Sequence, residues 1–300
     1  MNIKRSFSAI ATSILSMVSF SVIADCACEH ENDPDTPINQ AILAMDNNSL
    51  AFELLSSESN PDITNACGAG LLLMAAIYND IALAEKLLAE SADPNITNFQ
   101  GETPVEAAAK WSSNEVLAML LENGGDPNPK MHPCLETATY NTPLLLASVN
   151  DNLIGVELLL EHGADFTVVS PKGATFFDIL LKRGNDLDEI LDLIESIPEK
   201  NRTQANSELL FEVARREDML SKLNHLLSMP LNPNYSVDDN APYNTPLLIA
   251  AIAENIDGVK ALIEHGADIH YTNSVGYSLE RIVHENNIEE LYYLFPSTEE

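Results

Sequence analysis

Basic side chains are scarce in this chain. Fifteen lysines and arginines stand against 46 aspartates and glutamates in 300 residues, a formal charge of −31 at pH 7. That excess argues against nucleic acid and anionic lipid surfaces as partners, since both need a basic footprint. Phosphate loops are missing too: neither Gly-x-Gly-x-x-Gly nor a Walker sequence occurs, and no His-Glu-x-x-His helix is present. The segment Gly276-Tyr-Ser-Leu-Glu280 lacks the second glycine of a nucleophile elbow. A hydrolase or metal-dependent enzyme therefore has no constellation to work with, and neither enzymatic activity nor a cofactor is expected. Carboxylate pairs such as Glu289-Glu290, Asp238-Asp239 and Glu299-Glu300 read as solvated surface at this charge. Disorder throughout is excluded because 45% of the residues are hydrophobic and recur with a period.

The single long apolar run lies at the N-terminus. Met1–Ala24 carries Lys4 and Arg5, then an uncharged stretch ending in Val22 and Ala24 at the small-residue positions before a cut. This pattern is that of a secretory signal peptide opening the mature chain at Asp25. Its serines weaken the competing reading as a membrane anchor, and Asp25 before Cys26 fits a lipoprotein signal poorly. Cleavage leaves 276 residues with a formal charge of −33 and no further run able to span a membrane. The short signal points to a bacterial chain exported to the periplasm.

Cysteine occurs four times, at Cys26, Cys28, Cys67 and Cys134. An even count in an exported chain suggests two disulfides, for which three connectivities exist. A Cys26–Cys28 bridge would close a very small, strained ring, which favours the pairings that tie the N-terminal segment to Cys67 and Cys134. The alternative is a metal site in Cys26-Ala-Cys28-Glu-His30, but the two spaced ligand pairs of structural zinc are lacking.

What the sequence has in abundance is repetition. Eight apolar doublets recur, at Leu54-Leu55, Leu87-Leu88, Leu120-Leu121, Leu159-Leu160, Leu193-Ile194, Leu226-Leu227, Leu262-Ile263 and Leu294-Phe295. Their spacings are 33, 33, 39, 34, 33, 36 and 32 residues. Apolar residues six and three positions before most doublets, such as Leu153 and Val156 before Leu159, complete one stripe of a helix. Turn sequences follow, as in Asn60-Pro-Asp62, Asp93-Pro-Asn95, Asp126-Pro-Asn128 and Asn232-Pro-Asn234, or His-Gly-Ala-Asp at His162–Asp165 and His265–Asp268. A shorter apolar segment precedes each helix and opens with Thr36-Pro37, Thr103-Pro104, Thr142-Pro143 or Thr245-Pro246. Threonine as N-cap and proline as first helical residue form a start signal. Each unit is thus helix, turn, helix, loop, and only stacking buries both helices.

These residues identify the resemblance. Gly101-Glu-Thr-Pro-Val-Glu-Ala-Ala-Ala109, Asn141-Thr-Pro-Leu-Leu-Leu-Ala147 and Leu159-Leu-Glu-His-Gly-Ala-Asp165 are similar to the ankyrin repeat. The resemblance implies an all-α, helix-turn-helix solenoid with projecting hairpin loops. The histidine usual after Thr-Pro-Leu is absent, and repeats five, six and eight, near Thr175, Leu209 and Tyr277, lack Thr-Pro. Tyr140-Asn-Thr-Pro-Leu-Leu-Leu-Ala147 returns 103 residues later as Tyr243-Asn-Thr-Pro-Leu-Leu-Ile-Ala250, so repeats three to five read as the source of six to eight. The expected organisation is a signal peptide over 1–24, a cysteine-containing segment over 25–35 and a single solenoid of about eight repeats over 36–300.

The resemblance also implies a protein partner, bound through loop tips and inner helices. Exposed aromatic residues are its natural anchors. Candidates are Phe99, Tyr140, Tyr235, Tyr243 and Tyr271 in or near the connections, and Trp111 at the end of the first helix of repeat three. The two longest connections, Pro129–Tyr140 and Tyr235–Tyr243, sit at equivalent places in the two copies, and Asp238 and Asp239 in the second are suited to steering a basic partner. Two roles follow as expectations: scaffold or accessory factor for an envelope protein, and immunity protein against a secreted toxin with a basic surface.

Overall fold

The computed structural model describes residues 36–43, 51, 60–130, 142–236, 241 and 243–295. Residues 1–24, expected to be a signal peptide, and Cys26, Cys28, Cys134, Tyr140, Asp238 and Asp239 lie outside the described residues. No strand occurs among the described residues; single antiparallel bridges, Thr64 with Gly70 and Thr272 with Ser278, close two of the hairpin loops. The chain forms two compact units, one ending at Asp165 with Val169–Ala174 added, the other running from Thr175 with Phe166–Val168 added.

The first unit contains α1 (Pro37–Leu43), α2 (Leu71–Tyr78), α3 (Ile81–Ala89), α4 (Pro104–Trp111), α5 (Asn114–Glu122), α6 (Pro143–Val149) and α7 (Leu153–Glu161). Helices α1, α2, α4 and α6 pack side by side as one layer, and α3, α5 and α7 as a second. The start signals act as read. Thr103 Oγ1 accepts the Glu106 N–H at 3.1 Å and Thr142 Oγ1 accepts that of Leu145 at 3.2 Å, each with proline in the first turn. Helix α2 is apolar almost all round because it is covered on every side, and Leu71 to Ala76 are all buried. The apolar stripes of the second layer put Leu83, Leu87, Leu117, Leu120, Val156 and Leu159 wholly out of solvent. Each such side chain contributes about 1.5–3 kcal/mol of transfer free energy.

Successive repeats are also joined by polar groups. Asn95 Oδ1 accepts the Asp126 N–H at 2.7 Å while its Nδ2 donates to the Gly124 carbonyl at 3.0 Å. Asn128 repeats this with the Asp165 N–H at 2.7 Å and the Gly163 carbonyl at 2.9 Å. At the opposite edge the helix–helix turns are pinned by Asn79 Nδ2 to Glu115 Oε2, 3.0 Å, and Asn152 Nδ2 to Asn114 Oδ1, 2.8 Å. Those turns place Asn79, Ser112 and Asp151 in the left-handed region, with φ of 53°, 57° and 59°.

The second unit contains α8 (Phe176–Arg183), α9 (Leu187–Ser196), α10 (Glu199–Ala214), α11 (Leu220–Leu227), α12 (Pro246–Ile252), α13 (Ile256–Glu264) and α14 (Leu279–Glu285). The first helix of repeat six does not start near Leu209. Helix α10 begins at Glu199 and runs 16 residues, occupying the stretch where a hairpin loop is expected. Arg202 holds its start against the end of α9, its Nε donating to the Ile197 carbonyl at 2.8 Å and its guanidinium pairing with Glu195. Repeat eight closes with a 3₁₀ turn, Glu289–Leu294, in place of a full α-helix. Helices α8, α10, α12 and α14 pack in series, as do α11 and α13. Asn234 bridges to the Asp268 N–H at 2.7 Å and to the Gly266 carbonyl at 3.2 Å, as Asn95 and Asn128 do in the first unit.

Candidate functional site

The hairpin loops are built by one side chain each. Asn98 Oδ1 accepts the N–H groups of Gln100 and Glu102, both at 3.0 Å, and Asn65 Oδ1 does the same for Cys67 and Ala69 at 3.0 Å. This fold of the loop thrusts Phe99 outward, 58% exposed. Its backbone N–H donates to the Cys67 carbonyl at 3.1 Å, and its ring lies so close to Gly68 that a Cβ there would sit 2.9 Å from it. The other three cysteines lie outside the described residues.

Trp111 is 43% exposed at the end of α4, with Lys110 Nζ 5.6 Å from its ring centroid. The described tyrosine candidates are engaged inside the second unit. Tyr235 donates to Glu208 Oε1 at 2.8 Å, and burial followed by this carboxylate pushes the phenol pKa well up. Tyr243 meets Tyr277 edge-on at 5.1 Å, and the Arg281 guanidinium stacks on Tyr277 at 4.4 Å. Tyr271 Oη accepts from Asn244 Nδ2 at 2.9 Å. All three are half-buried.

Sequence reasoning passed over Ile81 and Ile154, 44% and 60% exposed at the starts of α3 and α7. Ile154 falls off the stripe of Leu153, Val156 and Leu159, which marks it as outward-facing. Ile81 lies on the stripe, but six residues before the doublet, where the outer helix has only just left the turn and is incompletely covered.

Charge is handled differently in the two units. The first has a carboxylate buried in its inner layer. Glu106, 3% exposed, accepts from the Thr103 N–H at 2.8 Å and from its hydroxyl at 3.0 Å, and burial raises its pKa to about 7. The second unit gathers Asp178 of α8 with Arg215, with Arg216 at 2.7 Å and with Lys182 at 2.7 Å; Arg215 also reaches Glu212 at 2.8 Å. Burial alone would raise the Asp178 pKa, but Lys182, Arg215 and Arg216 outweigh it and hold the carboxyl below its usual range. Glu212 stays raised, because its burial outweighs Arg215 and the Thr175 hydroxyl. Glu106 and Asp178 occupy the same place, the third residue of α4 and of α8, whereas Glu212 lies in the last turn of α10. His162 and His265 donate from Nδ1 to the carbonyls of Leu158 and Ala261, both at 2.8 Å, and so cap their helices. Among the described residues no cluster of three or more His, Cys, Asp or Glu is placed to hold a metal.

Residues 24–131 match the family model of three tandem ankyrin repeats, and residues 139–170 and 243–274 each match the single ankyrin repeat. The chain belongs to the ankyrin repeat family. No curated protein sequence matches it. Ankyrin repeats are protein-interaction modules, and membership of the family points to a protein partner. The single-repeat matches fall on the units headed by Thr142 and Thr245, which keep Thr-Pro and the His-Gly-Ala-Asp ending. The stretch between 170 and 243, outside both matches, contains the long α10 and the Asp178–Arg215 cluster.

Proposed function

We propose that this ankyrin-repeat chain is exported to the periplasm and binds a protein partner of the cell envelope, as a scaffold or accessory factor. The observation that carries the reading is the outward presentation of Phe99 and Trp111 from the first unit. Large aromatic side chains held in place by short-range hydrogen bonds supply contact area at low entropic cost. The signal-like segment Met1–Ala24 supports export. In the oxidising compartment that follows, Cys67 would be bridged toward the N-terminal segment or Cys134.

The charge excess favours a second reading, immunity against a secreted toxin. Forty-six acidic residues against 15 basic ones suit rapid capture of a basic protein. The test is capture on tagged chain from a periplasmic extract, with the partner identified and the N-terminus of the chain sequenced. The scaffold reading expects Asp25 as first residue and a resident envelope protein whose activity changes on binding. A partner found only when a competing strain supplies an effector selects immunity. A chain retaining Met1, or a partner whose affinity survives Phe99→Ala and Trp111→Ala together, overturns the proposal.

A further inference from the structure

Three large apolar side chains of the first unit share one edge. Ile81 stands at the turn between α2 and α3, Trp111 at the turn between α4 and α5, and Ile154 just after the turn between α6 and α7. They are 44%, 43% and 60% exposed. The turns that bear them are tied edge to edge by the Asn79–Glu115 and Asn114–Asn152 hydrogen bonds at 3.0 and 2.8 Å. The three side chains therefore lie along one edge of the unit, one in each of three consecutive repeats. Carboxylates stand near the three in sequence: by Ile81, Asp80, which caps α3, and exposed Glu85; by Trp111, Glu115, which accepts from Asn79; by Ile154, Asp151 and exposed Glu157. The cations near the three are already engaged, Lys86 with Glu90 at 2.5 Å and Lys110 with Glu102 at 3.8 Å.

We infer that this edge is a docking surface for a basic amphipathic helix of the partner, its apolar face on Ile81, Trp111 and Ile154 and its lysines and arginines on the flanking carboxylates. The bordering carboxylates outnumber Lys86 and Lys110 and commit the occupant to positive sign. The inference rests on the protein-binding reading above and names the surface and chemistry by which it works.

Trp111 is the only tryptophan in the sequence, so its emission reports on this edge alone. The full chain is titrated with a Leu/Lys peptide of amphipathic helical spacing, and with a Lys/Ser peptide of equal charge. The Leu/Lys peptide is expected to shift Trp111 emission to the blue and saturate, while the Lys/Ser peptide leaves it in place. Ile81→Asp and Ile154→Asp should each weaken binding about tenfold. Both add negative charge, so bulk electrostatic attraction predicts the opposite sign. Ile154→Ala, which alters no charge, should weaken binding in the same direction, and unchanged melting temperatures certify the folds. An equal response to both peptides, or undiminished binding by Ile154→Asp, overturns the inference. A captured cellular partner that keeps its affinity for Ile81→Asp and Ile154→Asp also overturns it, and leaves the protein-binding reading standing. Failure of capture with wild-type chain, beside a saturating and variant-sensitive peptide titration, removes the cellular reading and leaves the docking chemistry standing.

Discussion

Asn95 and Asp126, 31 residues apart, are joined by a hydrogen bond from the Asp126 N–H to Asn95 Oδ1 at 2.7 Å. The same carboxamide donates to the Gly124 carbonyl at 3.0 Å, so one side chain fastens two consecutive turns. Its own turn is set by Asp93 Oδ1, which accepts the Asn95 N–H at 2.9 Å. The geometry needs both an acceptor and a donor on a short side chain, which selects asparagine over aspartate.

Asn95→Ala is therefore expected to lower stability by about 1–2 kcal/mol, two partly solvated hydrogen bonds. Asn95→Asp keeps the acceptor and loses the donor, and should fall between the two. Urea midpoints of the three proteins, compared at constant slope, check the order.

Gly258→Ala should destabilise, against its favourable helix propensity. An added Cβ would lie 2.4 Å from Asn255 Nδ2, the group that donates to the carbonyls of Ala214 at 2.8 Å and Arg216 at 3.1 Å. Displacing it strands polar groups in a buried place, at about 2–4 kcal/mol. If the mechanism holds, Asn255→Ala and Gly258→Ala are strongly non-additive in a double-mutant cycle. Simple addition of the two losses would reject it.

Glu254 is exposed and sits in the left-handed region, with φ of 57°. Glu254→Gly should raise stability by about 0.5–1 kcal/mol, the relief of Cβ strain less the entropy of a freer unfolded chain. A higher melting temperature is the expected reading.

Burial raises the folded-state pKa of Glu106 from 4.5 to about 7. The folded chain thus binds this proton more tightly than the unfolded chain, and the resulting stabilisation is complete below pH 4.5. It is lost as pH rises through about 7, a change on the order of a few kcal/mol. Glu208 and Glu212, also raised, act in the same direction. Glu106→Gln retains a capping-box side chain without the charge. Stability measured from pH 5 to pH 8 should fall less steeply in this variant, and at pH 8 it should exceed wild type.

Asp178→Asn removes the carboxylate shared by Lys182, Arg215 and Arg216. Asp178 is 1% exposed while its arginines are partly solvated, so a loss of about 2–4 kcal/mol is expected. Lys182 is 63% exposed on its side chain, and Lys182→Ala should cost less than about 1 kcal/mol. Thermal unfolding of both variants distinguishes an arginine-centred cluster from a lysine-centred one.

The repeat architecture was legible because its signals are local. Thr103, Thr142 and Thr245 announce helix starts through caps that reach three residues ahead, and the leucine doublets mark faces that every repeat must bury. The bonds between repeats were not legible, since Asn95 and Asp126 become neighbours only once the units stack. The same holds for Asp178 and Arg215, 37 residues apart. Helix α10 escaped notice because Glu199–Gln204 carries no apolar period and follows Pro198. Its start is held by Arg202 against the preceding helix, a contact from outside the segment. Of the candidate surface, the aromatic types were readable, while exposure depended on neighbours. Phe99 is lifted clear by Asn98, whereas Tyr235 and Tyr243 find partners in Glu208 and Tyr277.

The asparagine bridge also bears on how such a chain lengthens. Asn128 to Asp165 spans 37 residues and Asn234 to Asp268 spans 34, yet both bonds measure 2.7 Å. The acceptor needs only a turn of its own and a backbone N–H on the next unit, so the connection between them is free to gain or lose residues without disturbing the joint. A copied block then arrives with half of each fastening already in place, its leading N–H ready for whichever asparagine precedes it. Growth by duplication would demand no matched pair of new side chains, and the recurrence of Asp165 as Asp268 at an offset of 103 residues fits those terms.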